Sequence, residues 1–190
     1  MKALEEKILQ EGEVVDGDIL KVDGFVNHQV DALLMEEIGK DMAEHFKGQG
    51  ITKVFTIESS GIAPALFTAK ELGVPLVILK KQQTADSLKT AVWQTEVVSY
   101  TKDTSYRLTL AKNYISDEDH VLIVDDFLAN GEAATGAIRL IRKAMPPWPV
   151  LACLSRRHFS WDVRSWRVRV SMYTPRQASR LSRTGKWYFR

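Results

Sequence analysis

Along the first 144 residues, apolar positions recur with a helical period in some stretches and as alternating or unbroken strand patterns in others. Residues 2–11 have helical spacing and stop at Gly12. Residues 18–23 alternate apolar and polar, which predicts a strand, and lead into Gly24, Phe25, Val26, Asn27 and His28. Asp31 is placed to cap a helix reaching about Lys47, with Leu34, Ile38, Met42 and Phe46 as its buried stripe and Gly48 and Gly50 at its end. Lys53–Ile57 reads as a strand, followed by a small-residue turn and a helix with Pro64 in its first turn and Gly73 at its end. Residues 74–79 form the next buried strand. Residues 82–94 are polar and without period, which in a small domain marks a linker or a functional lid. Residues 97–101 and 106–110 pattern as an antiparallel pair, and 116–120 as a polar turn. The four apolar residues from Val121 to Val124 read as a strand buried on both faces. Ala133, Ala134, Ala137, Ile138 and Ile141 then predict a helix ending near Ala144. Strands alternating with helices predict an α/β fold with a mostly parallel central sheet.

Candidate chemistry gathers where two of these strands end. Asp125 and Asp126 close the central strand where it should emerge into solvent, and Asn130 and Gly131 occupy a turn before the helix. Loop N–H groups and a helix N-terminus can hold a phosphate there, and small side chains let the backbone approach it. The two carboxylates cannot touch that phosphate; they suit sugar hydroxyls or a hydrated cation beside it. Strand, small turn and helix recur at Glu58, Ser59, Ser60, Gly61 and Ile62. The pair is a far stronger signal than either turn, because open α/β sheets bind ligands across the carboxyl ends of neighbouring strands. Lys80 and Lys81 stand at the exit of a third strand, where they could meet a polyphosphate. Taken alone, an Asp pair after a strand also caps turns, and Leu20 and Asn27 read as a core residue and a helix cap. His28, His45, His120 and His158 lack metal-ligand spacing, so no protein metal site is expected.

The run from Val121 to Gly136 resembles the 5-phosphoribosyl-1-pyrophosphate (PRPP) signature of type I phosphoribosyltransferases: hydrophobic residues, Asp-Asp, then a small-residue loop. Its variant Asp125-Asp126-Phe127-Leu128-Ala129-Asn130-Gly131-Glu132-Ala133 is similar to the bacterial, xanthine-using branch of that family. The resemblance covers residues 1–144. It implies the type I phosphoribosyltransferase fold, helices flanking the sheet and a small N-terminal hood over about residues 1–30. It also implies purine salvage: xanthine and PRPP become xanthosine 5′-monophosphate and pyrophosphate. Asp125 and Asp126 would be catalytic, holding the ribose hydroxyls. Ala129, Asn130, Gly131, Glu132 and Ala133 would bind the 5′-phosphate. Backbone N–H groups of Ser59, Ser60, Gly61 and Ile62, with Lys80 or Lys81, would serve the pyrophosphate. Leu20 and Asn27 would meet xanthine, and residues 82–94 would be the loop that closes over the reaction. Mg²⁺ would arrive with PRPP, held mainly by its oxygens and water. A homodimer is implied in the same way.

Composition fits one soluble domain, 190 residues at 45% hydrophobic and 26% charged. No apolar run approaches the ~20 residues of a membrane span, no signal pattern begins the chain, and the lone Cys153 suits the cytoplasm. The net charge of +2 hides a break. Residues 1–144 hold 16 basic and 23 acidic residues; residues 145–190 hold 10 basic residues and a single acid, Asp162. Met145-Pro-Pro-Trp-Pro149 stands where another buried strand belongs, and beyond it only Val168, Val170 and Met172 suggest a strand. The family's Glu-Lys-x-Phe, whose lysine contacts the base, is missing there. Residues 1–144 are therefore expected to be the domain, and 145–190 an anomalous Arg/Trp-rich tail, a frame-shifted end of the same domain. The genetic code gives a check, joining the last base of each codon to the first two of the next. Met145–Pro146 and Trp148–Pro149 then force Ala, Trp161–Asp162 forces Gly, and Met172–Tyr173 and Trp187–Tyr188 force Val. Permitted codons elsewhere let 145–163 read A-T-V-A-G-I-G-L-S-V-E-K-A-F-Q-L-G-R-E. Two other functions compete. One is a PRPP-sensing transcriptional regulator resembling the purine repressor, its tail a nucleic-acid surface. Such a repressor has a separate N-terminal DNA-binding domain, and only about 30 residues precede the first core helix here. The other is an α/β domain without a site.

Overall fold

The computed structural model describes residues 2–15, 19–81, 91–99, 104–128, 132–144, 151–156 and 168–172. Helix α1 (Lys2–Glu11) leads to a two-stranded antiparallel ribbon, β1 (Glu13–Val15) and β2 (Ile19–Lys21), with Val14 opposite Leu20. A π-helical turn, Asp23–Asn27, buries Phe25 and Val26. Helix α2 (Ala32–Phe46) starts where expected, because the Asp31 carboxylate accepts the Leu34 N–H at 3.1 Å. Lys7 ties α1 to this cap, its Nζ 3.1 Å from Asp31. The predicted stripe of Leu34, Ile38, Met42 and Phe46 is buried, joined by Met35, Gly39 and Ala43. Gly39 is where α2 meets α3 (Ile62–Leu72): a Cβ there would lie 2.5 Å from Phe67 Cβ and 2.6 Å from its carbonyl carbon.

The remaining strands are β3 (Lys53–Ile57), β4 (Leu76–Lys81), β5 (Val92–Ser99), β6 (Thr104–Ala111), β7 (Val121–Leu128), β8 (Leu151–Arg156) and β9 (Val168–Met172). They form one sheet of seven strands in the order β5-β6-β4-β3-β7-β8-β9. The four central strands, β4, β3, β7 and β8, are mutually parallel, and β5, β6 and β9 join antiparallel at the margins. Odd and even residues of β7 serve opposite faces. Leu122 and Val124 pack with the N-terminal segment, α2 and α3, while Val121 and Ile123 pack with α4 (Glu132–Ala144). This is the α/β architecture expected, with more antiparallel edge than the sequence suggests.

Several boundaries differ. The alternation over 18–23 yields only three paired residues in β2, because Val22 is already buried ahead of the π-turn. Strand β4 begins at Leu76, leaving Val74 and Pro75 outside, and continues through Lys80 and Lys81, which pair with Thr109 and Leu108. The supposed lid is shorter than 82–94: Val92, Trp93 and Gln94 already belong to β5, opposite Ala111, Leu110 and Thr109, and 82–90 lie outside the described residues. The chain after Ala144 also holds a strand the pattern missed, β8, with Leu151 opposite Leu122 and Cys153 opposite Val124. The prolines just before it hide it, since they suit no sheet interior; residues 145–150 themselves lie outside the described set.

Candidate active site

The carboxyl ends of β3 and β7 bring the turn over 58–61 against Asp125. The β3 turn runs from Glu58 to Gly61, with a cis Glu58–Ser59 peptide, and Gly61 precedes the first residue of α3. Gly61 is buried against the neighbouring strands: a Cβ on it would lie 2.5 Å from both Asp125 Oδ1 and Thr56 Oγ1. No side chain fits there. The Ile62 N–H donates to the Ser59 carbonyl at 3.1 Å, so that expected anion donor is already engaged.

Asp125 does not emerge into solvent as the pattern suggested. Strand β7 continues past it to Leu128, with an irregular register between the two, and Asp125 is only 8% exposed. Asp126 is half-buried and its N–H donates to Asp125 Oδ1 at 3.1 Å. Burial, then the negative charge of Asp126, push the Asp125 carboxyl well above the usual carboxylate range. Thr56, one strand away, is fully buried, and among the described residues its Oγ1 has no hydrogen-bond partner. Glu132 and Ala133 are not loop residues but the first two of α4; Ala129, Asn130 and Gly131 lie outside the described residues.

The two lysines separate. Lys80 Nζ is 3.3 Å from Glu58 Oε2, and the same carboxylate accepts the Lys81 backbone N–H. The Lys81 ammonium instead lies 5.4 Å from the centre of the Tyr106 ring. Thr56 and Tyr106 were missed by sequence reasoning, since neither belongs to a spaced motif, and Glu58 was read only as the start of the turn, not as the partner of Lys80 and Lys81.

Asn27 closes the π-turn and, with Asp23, Gly24, His28 and Gln29, lines a cavity of about 590 Å³. That volume lies in the range of small-molecule sites, roughly 300–1,000 Å³. Asn27 does not cap α2; Asp31 does. Leu20 lies in β2.

A family model for the phosphoribosyl transferase domain matches residues 27–169. The chain belongs to that family. Its phosphoribosyltransferase relatives include the xanthine phosphoribosyltransferase of Agathobacter rectalis, 58% identical over 144 residues, covering 76% of this chain and 74% of the relative. The Clostridium acetobutylicum xanthine phosphoribosyltransferase is 56% identical over 144 residues, 76% of each chain. Among solved structures, adenine phosphoribosyltransferase of Giardia lamblia with 9-deazaadenine has a TM-score of 0.64 at 21% identity, covering 80% of this chain and 83% of that one. The Rhodothermus marinus adenine phosphoribosyltransferase has a TM-score of 0.60 at 22% identity, over 80% and 88%. These structures share the phosphoribosyltransferase fold. The named relatives are transferases and give the regulator alternative no support.

Proposed function

We propose that this phosphoribosyltransferase joins xanthine to PRPP, forming xanthosine 5′-monophosphate and pyrophosphate in purine salvage. The 58% identity to a xanthine enzyme carries the choice of base. The Asp125–Asp126 pair beside a backbone-only turn supports PRPP as the donor.

Displacement at the ribose C1 builds positive charge on the sugar as pyrophosphate leaves with negative charge, much as in glycoside cleavage. The protein's task is to hold base and ribose in line. Asp125 and Asp126 hold the ribose hydroxyls. Residues 129–133, ending in the first turn of α4, take the 5′-phosphate. Ser59, Ser60 and Gly61 face the pyrophosphate with backbone donors, and Lys80 and Lys81 add charge. Asn27 offers both a donor and an acceptor to a base edge, and Leu20 an apolar surface. Mg²⁺ would arrive with PRPP, held mainly by its oxygens and water. When bound, Mg²⁺ supplies neutralising charge to the leaving pyrophosphate.

No helix among the described residues is long and apolar enough to cross a membrane. A cytoplasmic homodimer completes the proposal, and light scattering of the purified chain checks the dimer. Residues 1–144 are proposed as the PRPP-binding domain and 145–190 as its out-of-frame end, so transfer is expected to be weak in the chain as it stands. Calorimetric titration with PRPP and Mg²⁺ tests the site, with saturable binding displaced by pyrophosphate as the expected result. Formation of xanthosine 5′-monophosphate is then measured in the full chain and in a version carrying the alternative reading of 145–190. Absence of PRPP binding overturns the assignment; transfer to guanine or hypoxanthine in preference to xanthine overturns the base.

A further inference from the structure

Tyr106 belongs to no motif in the sequence, yet it stands among the groups assigned to ribose phosphate. On β6, Leu108 pairs with Lys81, the last residue of β4, so Tyr106 lies two residues beyond the carboxyl end of that strand. Its partner on β5 is Val97, which fills the space a side chain on Gly136 would need, so this pair faces α4. The half-buried ring packs against the cluster that also takes in Ala133 of the first turn of α4. The Lys81 ammonium lies over the ring, 5.4 Å from its centre.

The hydroxyl is held as a neutral donor. Burial, then the negative charges of Asp125 and Glu132, raise the phenol above its ordinary value. Those two residues are the buried ribose carboxylate and the start of the phosphate-binding helix. A phosphate seated at the amino end of a helix meets backbone N–H groups on one side only. Its remaining oxygens face the sheet, where a neutral O–H beside a lysine suits a dianion better than a carboxylate does.

We propose that Tyr106 is a further ribose-phosphate-binding residue, its phenolic O–H donating to a 5′-phosphate seated at the amino end of α4. This rests on the phosphoribosyltransferase site proposed above and adds a contact from β6 that the loop motifs do not supply.

The test is calorimetric titration of the full chain and of Tyr106→Phe with two probes, ribose 5-phosphate and inorganic pyrophosphate. Phenylalanine keeps the ring, its packing and the Lys81 contact, so a purely structural tyrosine would tolerate the change. The expected result is about tenfold weaker ribose 5-phosphate binding, as for one lost hydrogen bond to a charged group. Pyrophosphate affinity and the urea midpoint stay unchanged. Equal ribose 5-phosphate affinity in both proteins overturns the proposal, as does an equal loss for both probes. If the parent chain binds pyrophosphate but not ribose 5-phosphate, the Tyr106 contact falls while the pyrophosphate turn stands. If it binds neither, the functional assignment falls with it.

Discussion

Replacing Gly61 by alanine should damage both stability and anion binding, and the structure sets the size of each effect. The new Cβ would lie 2.5 Å from Thr56 Oγ1 and Asp125 Oδ1, and 3.2 Å from Asp125 Cα. The first two contacts are about 1 Å inside the ~3.5 Å optimum for non-bonded atoms. Neither oxygen can swing aside cheaply. Thr56 is β-branched, fully buried and stiff at χ1. Rotating Asp125 breaks its hydrogen bond from the Asp126 N–H. The backbone must therefore move, and overpacking of this kind costs typically 1–3 kcal/mol, so about 2 kcal/mol is expected. The turn that moves is the one assigned to pyrophosphate, and a misplacement of ~1 Å can cost on the order of 100-fold in function. Urea unfolding at constant slope reads the stability change. Pyrophosphate titration of the folded protein reads the displacement. Gly39→Ala is the control: its Cβ would meet Phe67 Cβ at 2.5 Å and Thr68 N at 2.8 Å, in the α2–α3 contact away from the turn. It should lower the urea midpoint at least as far and leave pyrophosphate affinity alone. A Gly61→Ala protein as stable as its parent and binding pyrophosphate equally well would refute the packing argument, and a matching affinity loss in Gly39→Ala would refute its locality.

Three further outcomes follow from the same geometry. Asp125 has its folded pKa raised, by burial first and then by the Asp126 charge, so the folded state keeps a proton that the unfolded chain releases above about pH 3.9. Stability therefore falls as pH rises from there through the folded value. Asp125→Asn should stabilise the protein at pH 7, lose that gain near pH 3 and weaken ribose 5-phosphate binding; an equal gain at both pH values contradicts the cause. Asp31 has the opposite sign: the Leu34 N–H, then Lys7, hold its carboxyl below the ordinary value, so its contribution is present above the unfolded pKa and lost as pH falls through the folded one. Urea melts of Asp31→Ala at pH 7 and pH 3 should show a larger deficit at the higher pH. Asp126→Asn should weaken PRPP binding far more than xanthine binding, and equal losses by calorimetry would sink the ribose assignment.

The strands that bear the site were legible because both their faces are buried. Lys53–Ile57 was read to the residue, since a short run of buried, strand-favouring residues bounded by a lysine and a small-residue turn permits little else. The Asp31 cap and the α2 stripe were legible for an equally local reason: a side chain three residues from its donor, and a helical period. What stayed hidden depends on partners far apart in the chain. The β4 boundary is set by pairing with β6, not by its own residues, so Lys80 and Lys81 were placed outside it. Asp125 looked like a residue leaving the core, yet Gly61, 64 residues earlier, closes over it. Tyr106 and Thr56 matter through neighbours on other strands, a relation no local pattern encodes.

The last quarter of the chain poses the sharpest conflict between sequence and fold. A strand is needed after α4, because a parallel strand joined to β7 by a right-handed helical crossover continues the sheet. The structure puts one there, β8, directly beside β7. Yet the residues leading to it are Pro146, Pro147 and Pro149, and it ends in Ser155 and Arg156. Read one base out of phase, the same positions 151–156 admit G-L-S-V-E-K, a strand of ordinary composition ending in the Glu-Lys pair that the resemblance calls for. The family model runs through residue 169, so it also treats this region as part of the domain. The two relatives match over 144 residues, the number that precede Met145. A basic tail selected to bind nucleic acid would explain the charge, but not why its forced letters, two Ala, one Gly and two Val, all suit the domain's own pattern. If the frame is shifted, the chain as it stands lacks its base-contacting lysine and should be poorly stable and nearly inactive. The version carrying the alternative reading should melt at a higher urea concentration and make xanthosine 5′-monophosphate. Resequencing the gene decides it: an intact frame through codon 190, with a stable product active on xanthine, would overturn the frameshift.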